Sequence, residues 1–174
     1  DTARVFDGYF TEEAGPRSGR AALSRIAQAL LRPESGQASG PGLPPPAPIS
    51  RHGEVVLIGD FLSPLAEIDR AVRTITGRAI KGHLIHVLDP AEETLPFAGR
   101  TRFEGLEDEG EALIPRVESV REDYQRLMAA HIHGLGDIAR AAGWTFHSHR
   151  TDHSVQPTLL ALYLALAHDA RRAR

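Results

Sequence analysis

The chain contains no cysteine among its 174 residues. Disulfide bonds, thiolate metal ligands and cysteine nucleophiles are therefore excluded. The glycine-rich loops that bind phosphates or dinucleotides are also absent, as is the Gly-x-Ser-x-Gly turn that carries a hydrolase serine. These absences remove several large enzyme classes and leave a binding protein or a metal-assisted enzyme as the main alternatives.

The chain also lacks excess positive charge and long apolar runs. Its Lys and Arg residues number 20 and its Asp and Glu residues 23, so the net charge is −3 and no basic footprint for nucleic acid is present. No apolar run approaches the length of a membrane span, and no signal peptide is visible. We therefore expect a cytoplasmic protein without nucleic-acid or membrane contacts. A hydrophobic content of 41% is sufficient for one domain with a buried core.

The run from 53 to 61 predicts the centre of the fold. It is short, rich in valine and isoleucine and contains Asp60 near its end, which is typical of a parallel strand buried on both faces. Ser63 predicts the N-cap of a following helix, with the next proline as its first residue. A second apolar strand at 83–88 then leads into Asp89. This strand–helix–strand unit predicts an α/β fold with a three-layer, doubly wound, mostly parallel sheet.

The rest of the chain continues the alternation of strands and helices. The predicted elements are an edge strand at 4–10, a helix capped by Ser18, a Pro- and Gly-rich loop at 33–50, a hairpin insertion at 90–115, a helix at 118–142, a strand at 144–149 and a helix at 157–170. The last strand is followed by Asp152. Because ligands bind at the carboxyl ends of parallel strands, Asp60, Asp89 and Asp152 are predicted to share one rim of the sheet.

Several short motifs carry a family resemblance. They are Val-Leu-Ile-Gly-Asp-Phe-Leu-Ser-Pro at 56–64, Asp-Pro-Ala-Glu-Glu at 89–93, Leu-Pro-Phe at 95–97, Gly99, Phe-Glu-Gly at 103–105, Arg121 with Tyr124, and Thr151-Asp152. The first resembles the fourth strand of a von Willebrand factor A domain. Together they resemble an uncharacterised bacterial von Willebrand factor A-like family encoded beside MoxR-type AAA+ ATPases. The resemblance covers about 18–168 and implies a single domain, incomplete at its N-terminus, with an AAA+ ATPase as protein partner.

The resemblance also implies where a metal ion would be sought. Full A domains often hold Mg²⁺ with an Asp-x-Ser-x-Ser motif, a threonine and an aspartate, which supply hard oxygen ligands. Asp60 matches the aspartate, and Ser18 lies roughly where the threonine belongs. No Asp-x-Ser-x-Ser motif occurs in the chain, so Asp60 and Ser18 form a weak, incomplete site. We expect no cofactor, with Mg²⁺ bound only if a missing N-terminal strand supplies the other ligands.

Histidines suggest a different metal site. His147 and His149 share one face of the last predicted strand, with Asp152 and His153 nearby, and imidazole suits zinc or nickel. No established metal-binding spacing supports the cluster. The alternative function is accordingly a metal-assisted hydrolase that uses the Asp and His side chains of the rim. The absence of a complete catalytic constellation favours a non-enzymatic protein-interaction module.

An acidic cluster occupies the predicted hairpin. Its members are Glu104, Glu107, Asp108, Glu109 and Glu111. A like-charge cluster gains nothing from burial. One interpretation is a solvated hairpin that protects an edge strand from aggregation, and the other is a docking surface for a basic partner. Asp89, Thr151 and Asp152 form the second predicted binding surface, the rim. We expect the module to work with its ATPase in the assembly or maturation of other proteins.

Overall fold

The computed structural model describes residues 3–6, 11–14, 24, 27, 28, 49, 53–77, 80–104 and 111–172. Contacts within the chain define two compact units, Asp1–Pro45 and Pro46–Arg174. Each unit is described by itself.

The first unit contains a β-hairpin. Strand β1 (Ala3–Phe6) pairs antiparallel with β2 (Thr11–Ala14). Residues 4–6 of the edge strand predicted at 4–10 belong to this hairpin, and residues 7–10 lie outside the described residues. Residues 24, 27 and 28 are helical, where the sequence predicts the first helix. Helical spacing predicts Ala27 on the buried face of that helix, but Ala27 is exposed. The predicted cap Ser18 lies outside the described residues, as does the loop at 33–50 apart from Ile49.

The second unit contains the remaining elements. They are β3 (Glu54–Gly59), α1 (Leu65–Thr76), β4 (Lys81–Leu88), α2 (Pro90–Thr94), β5 (Thr101–Glu104), β6 (Glu111–Ile114), a 3-10 turn (Val117–Ser119), α3 (Arg121–Ala141), β7 (Thr145–Arg150) and α4 (Gln156–Arg172). Strands β3, β4 and β7 form one sheet in the order β3-β4-β7 with both pairs parallel. The prediction of a mixed α/β fold built on a parallel sheet is confirmed.

Strand β4 lies at the centre of this sheet and of the core. Its residues from Gly82 to His86 are buried, together with Leu88. Helices α1 and α3 pack against each other, and α3 also contacts β7. The two helices contribute the buried side chains Ile68, Val72, Leu135 and Ala139. Gly82 leaves room for the indole ring of Trp144, which a Cβ atom at that position would overlap. Close packing of β4 thus depends on a residue without a side chain.

The prediction that β3 is buried on both faces is wrong. Its residues alternate between exposed and half-buried, and the side chains of Val56 and Ile58 are 37% and 64% exposed. Within the described residues β3 is an edge strand, paired only with β4. An edge strand has no neighbouring strand on one flank. Val56 and Ile58 therefore lack side-chain neighbours from the described residues on that flank and stay accessible.

The prediction that Ser63 caps α1 is also wrong. The helix begins at Leu65, and its N-cap position is Pro64, with no side-chain hydrogen bond to the first turn. The carbonyl oxygen of Pro64 accepts hydrogen bonds from the amides of Glu67 and Ile68, at 2.8 and 3.2 Å. Backbone conformation, and not a serine hydroxyl, therefore starts the helix.

Strands β5 and β6 form a separate two-stranded antiparallel sheet. Thr101 lies opposite Ile114 and Glu104 opposite Glu111. The segment between them, which includes Glu107, Asp108 and Glu109, lies outside the described residues. None of the helices in the described parts of the chain combines the length and the apolar character that a bilayer crossing requires.

Candidate functional site

The rim of the sheet brings Asp89 and Thr151 together. The Thr151 hydroxyl donates to Asp89 Oδ2 at 3.1 Å, while the Thr151 amide donates to the carbonyl of Leu88 at 3.0 Å. Asp89 Oδ1 accepts from the amide of Ala91 at 2.8 Å, and Glu92 accepts from the Asp89 amide at 3.3 Å. This reciprocal arrangement is a capping box. Asp89 therefore starts α2 and ties it to the end of β7.

Asp152 is held by an arginine on the same rim. Arg150 Nε and Nη2 donate to its two carboxylate oxygens at 3.2 and 3.1 Å, and Arg150 also forms an ion pair of 3.0 Å with Glu93. Partial desolvation opposes ionisation of Asp152, but the hydrogen bonds and charge of Arg150 outweigh it, so the pKa of Asp152 lies below its ordinary value. The carboxylate is thus occupied by a neighbour within the chain.

Asp60 precedes a strained turn at the end of β3. Its Oδ1 accepts a hydrogen bond of 3.3 Å from the amide of Leu62. The intervening Phe61 is buried and has a φ of 51°, in the left-handed region that bulky residues avoid. The carbonyl oxygen of Phe61 accepts from His131 Nε2 on α3 at 2.7 Å. Since a carbonyl oxygen only accepts, this bond places a proton on His131 Nε2.

His86 is the buried polar group that sequence reasoning did not select. It lies on β4 with 1% of its surface exposed, and its Nδ1 is 3.0 Å from Ser148 Oγ. Its Nε2 is buried without a hydrogen-bond partner among the described residues. Burial and the nearby His131 lower the pKa of His86, while Asp60 acts in the opposite direction. The available signal was a histidine inside an apolar strand run.

The described residues do not assemble a metal centre. Among them, no three His, Asp or Glu side chains are grouped as a metal ion would require. His147 and His149, half-buried on β7, belong to no such group. Ser18, the other predicted ligand beside Asp60, lies outside the described residues. Of the three carboxylates predicted on the rim, Asp89 belongs to a capping box and Asp152 to an ion pair. Asp60 lies in the turn at the end of β3.

The segment that leads into the β5–β6 hairpin is fastened to α3. Arg121 Nε and Nη2 donate to the carbonyls of Leu95 and Phe97, at 3.0 and 2.6 Å. Gln125, one turn further along the helix, donates to the carbonyl of Thr94 at 2.8 Å. Leu95 takes a left-handed φ of 47° at the end of α2. One face of α3 thus fixes the path of the chain from α2 towards the hairpin.

Glu118 holds the same segment at Gly99, two residues before β5 begins. Its Oε1 accepts from the amide of Gly99 at 2.8 Å, and hydrogen bonds to backbone amides keep the pKa of Glu118 below its ordinary value. The amide of Val117 in turn donates to the carbonyl of Gly99 at 3.0 Å. Phe97 and Phe103 make an edge-to-face contact with 5.4 Å between ring centroids. We call Arg121, Gln125, Glu118 and their backbone acceptors and donors the hairpin anchor.

An open groove of about 720 Å³ runs between α2, α3 and β7. Met128, Ile132 and Phe146 supply apolar lining, and Glu93, Arg140 and Arg150 supply charged lining. Glu93 is paired with Arg150, and Arg140 is paired with Asp137. The groove therefore offers mainly apolar contact, on the side of α3 that also carries Gln125 of the hairpin anchor.

Comparison with known proteins adds one match. No curated protein and no solved structure matches the chain. The sequence model of a family described as "Protein of unknown function DUF58" matches residues 5–134, which is more than half of the chain. That span contains the last two residues of β1, the strands β2 to β6 and the first two thirds of α3, with Arg121, Gln125 and Glu118 of the hairpin anchor. The chain therefore belongs to the DUF58 family of proteins of unknown function.

Proposed function

We propose that this chain is a protein-interaction module without catalytic activity of its own, and that its partner is an AAA+ ATPase of the MoxR type. The resemblance of its motifs to the MoxR-associated family supports the choice of partner. The observation that carries the proposal is the hairpin anchor, in which Arg121 and Glu118 hold the backbone at Leu95, Phe97 and Gly99. Since such a partner consumes ATP, the interaction would take place in the cytoplasm.

The anchor explains how a small hairpin could serve as a binding element. A two-stranded hairpin is marginally stable on its own in water. Here its entry is fixed by hydrogen bonds to α3, and Phe97 and Phe103 pack together beside it. A binding element that is ordered before it meets its partner loses less conformational entropy on binding. In this proposal the family-like motif residues Arg121, Phe97, Gly99 and Phe103 support a binding surface.

The charge of the hairpin indicates the chemistry of the partner. Glu104 and Glu111 occupy opposite positions in the β5–β6 register. Three further acidic residues, at 107–109, follow in the connecting segment. A segment of this composition would attract a basic partner surface. Association would then be accelerated by charge and weakened by salt.

The direct test reverses charge in the hairpin. In the variant Glu107→Lys with Glu109→Lys, we expect the melting temperature to stay near that of the wild type and association with the neighbouring MoxR-type ATPase to slow. Binding kinetics at low and high salt provide the measurement. The matched control is Glu54→Lys with Glu67→Lys, which changes net charge equally at exposed positions outside the hairpin. Unchanged association of the hairpin variant at low salt, or an equal loss in the control, would contradict the proposal.

The anchor is tested by Arg121→Lys. Lysine keeps the positive charge but cannot reproduce the two-pronged donation of the guanidinium to the carbonyls of Leu95 and Phe97. We expect faster amide hydrogen exchange in β5 and β6 and weaker ATPase binding, with exchange in β4 unaltered. Loss of binding without faster exchange in the hairpin would mean that Arg121 acts by another route.

The hydrolase alternative has less support from the described residues. Asp89 is engaged in a helix cap and Asp152 in an ion pair, so neither is free to hold a metal without rearrangement. Titration of the chain with Mg²⁺ and Zn²⁺ by calorimetry separates the alternatives. A bound metal in contact with two or more of Asp60, Asp89 and Asp152 would favour the hydrolase.

A further inference from the structure

Two residues of the second unit adopt a backbone conformation that their side chains disfavour. Among the described residues, Phe61 and Leu95 are the non-glycine residues with a left-handed φ, at 51° and 47°. Both side chains are buried, each with 7% of its surface exposed. A left-handed φ at a residue of this bulk stores strain, and it persists only where the surrounding contacts hold it. The contacts that hold Phe61 and Leu95 therefore determine the path of the chain at both places.

Helix α3 supplies such a contact at each of the two strained residues. His131 Nε2 donates to the carbonyl oxygen of Phe61 at 2.7 Å, and Arg121 Nε donates to the carbonyl oxygen of Leu95 at 3.0 Å. In both cases a side chain of α3 binds the carbonyl of a buried residue with a left-handed φ. We call residues 60–62, which contain the first strained residue, the Phe61 turn. The second strained residue belongs to the hairpin anchor.

Close packing between α3 and α1 reinforces the contact at the Phe61 turn. Leu65, the first residue of α1, lies against Gly134 of α3, where an added Cβ atom would overlap the Leu65 side chain. Helix α3 thus meets the chain at Phe61 through a hydrogen bond and again at Leu65 through packing. Because no gap separates the two helices at Gly134, a displacement of α3 has to be transmitted to the segment between Phe61 and Leu65.

The opposite end of α3 is fixed just as closely to the segment before the hairpin. Arg121 Nη2 donates to the carbonyl of Phe97 at 2.6 Å, and Gln125 donates to the carbonyl of Thr94 at 2.8 Å. Arg121 and His131 are ten residues apart on one uninterrupted helix, about 15 Å along its axis. One rigid element therefore connects the two strained segments.

We propose that α3 couples the Phe61 turn to the hairpin anchor, so that loss of the strained conformation at one of them favours its loss at the other. Each strained residue has an unstrained alternative, so each segment has two arrangements, and the position of α3 biases both. Coupling of this kind is reciprocal. A partner that displaced the segment at 94–99 would thereby change the surroundings of Asp60, and a ligand at Asp60 would change the hairpin. The inference concerns the chain by itself and does not depend on the ATPase.

The first test disturbs the hairpin anchor and measures the Phe61 turn. The reporter is the Leu62 amide, which donates to Asp60 Oδ1 within the turn, and its hydrogen exchange is measured by NMR on the full chain. In Arg121→Lys we expect this exchange to be about fivefold or more faster than in the wild type. The matched control is Arg126→Lys on the same helix, where Arg126 is exposed and paired with Asp123. It should leave the exchange of Leu62 unchanged.

The second test runs in the opposite direction. His131→Leu removes the donor to the Phe61 carbonyl, and the reporters are the amides of β5 and β6 together with the Leu95 amide, which donates to the carbonyl of Ala91 at 2.9 Å. We expect their exchange to rise about fivefold or more. His131→Gln retains a side-chain donor and should give a smaller increase. His133→Leu, the matched control at an exposed histidine of α3, should give none.

The pattern of exchange decides between coupling and simple damage. Exchange in β4 should be unaltered in every variant, and an equal increase there would indicate general loss of stability and overturn the proposal. Effects confined to the hairpin in Arg121→Lys and to residues 60–62 in His131→Leu would also overturn it, while the hairpin anchor and its role in partner binding would stand.

The double variant Arg121→Lys with His131→Leu provides an independent check. If the two segments are coupled through α3, the increase in Leu62 exchange in the double variant should depart from the product of the two single increases, because the first substitution already releases part of what the second would release. An increase equal to that product would show that the two segments respond separately, and would overturn the proposal.

Discussion

Strands β3 and β4 are neighbours with similar apolar sequences, yet only β4 is buried on both faces. The contrast is clearest at one register position, where Ile58 of β3 lies opposite Ile85 of β4. Ile58 is 64% exposed and Ile85 is 4% exposed. Identical side chains at paired positions thus have different environments. The cause is position in the sheet, since β4 has a strand on each side and β3 has one among the described residues.

The difference between β3 and β4 shows that an apolar run predicts a strand but not how deeply the strand is buried. Val/Ile-rich runs indicate strands that fit a pleated, largely covered surface. They do not report how many neighbours the strand acquires, because neighbours come from distant parts of the chain. In this molecule β4 receives β7 from some 60 residues further along the chain, as in the pairing of His83 with Thr145.

The largest expected effect is the removal of the buried isoleucine. Ile85→Ala should lower the free energy of unfolding by about 2–5 kcal/mol, because it deletes buried methylene and methyl groups and leaves a cavity. Ile58→Ala, the matched change on β3, should stay within about 0.5 kcal/mol, as for other surface positions. Chemical denaturation of the two variants gives both values. Equal losses would show that β3 is covered in solution by a partner or by another part of the chain.

A second pair of variants adds a methyl group to each strand. Gly82→Ala on β4 places a Cβ against the indole of Trp144, and overpacking of this kind costs about 1–3 kcal/mol. Gly59→Ala on β3 meets nothing nearer than the Phe61 ring and amide at 4.0 Å, so it should be close to neutral. Thermal melts of the two variants rank them. Greater damage from the change on β3 would contradict the packing described.

The smallest expected effect concerns pH and His86, which lies on β4 opposite Gly59. Burial, with a contribution from His131, lowers the pKa of folded His86, whereas the unfolded side chain titrates near about 6.5. Between the two values the unfolded chain binds more protons. The contribution of His86 to the free energy of unfolding is therefore fully present above about pH 6.5. It declines as the pH falls through that value towards the lower pKa of the folded state.

His86→Gln should reduce this dependence, whatever its effect on stability at neutral pH. Denaturant melts above and below about pH 6.5 measure the slope, with His133→Gln on the exposed side of α3 as the matched control. A slope that is unchanged in His86→Gln would assign the pH dependence to other groups.

Part of the site was accessible from the sequence. Asp89 and Thr151 were both expected on one rim, and they share a hydrogen bond of 3.1 Å. The capping role of Asp89 could also have been predicted, because an acidic residue followed three positions later by Glu92 is a capping-box pattern. The hairpin anchor was not accessible. Arg121 is separated from its acceptors Leu95 and Phe97 by 26 and 24 residues, and no local pattern relates positions so distant.

The sequence by itself determined the elements of the parallel sheet. Apolar runs predicted strands at 54–59, 83–88 and 144–149, and helical spacing predicted the helices between and after them, since periodicity is a local property of the chain. Only the tertiary structure decided which strand is central, which turn Phe61 adopts and which imidazole nitrogen is left without a partner. Those outcomes depend on contacts among α3, β4 and β7, which are far apart in the sequence. These contacts, and not residue type, determine which side chains are buried.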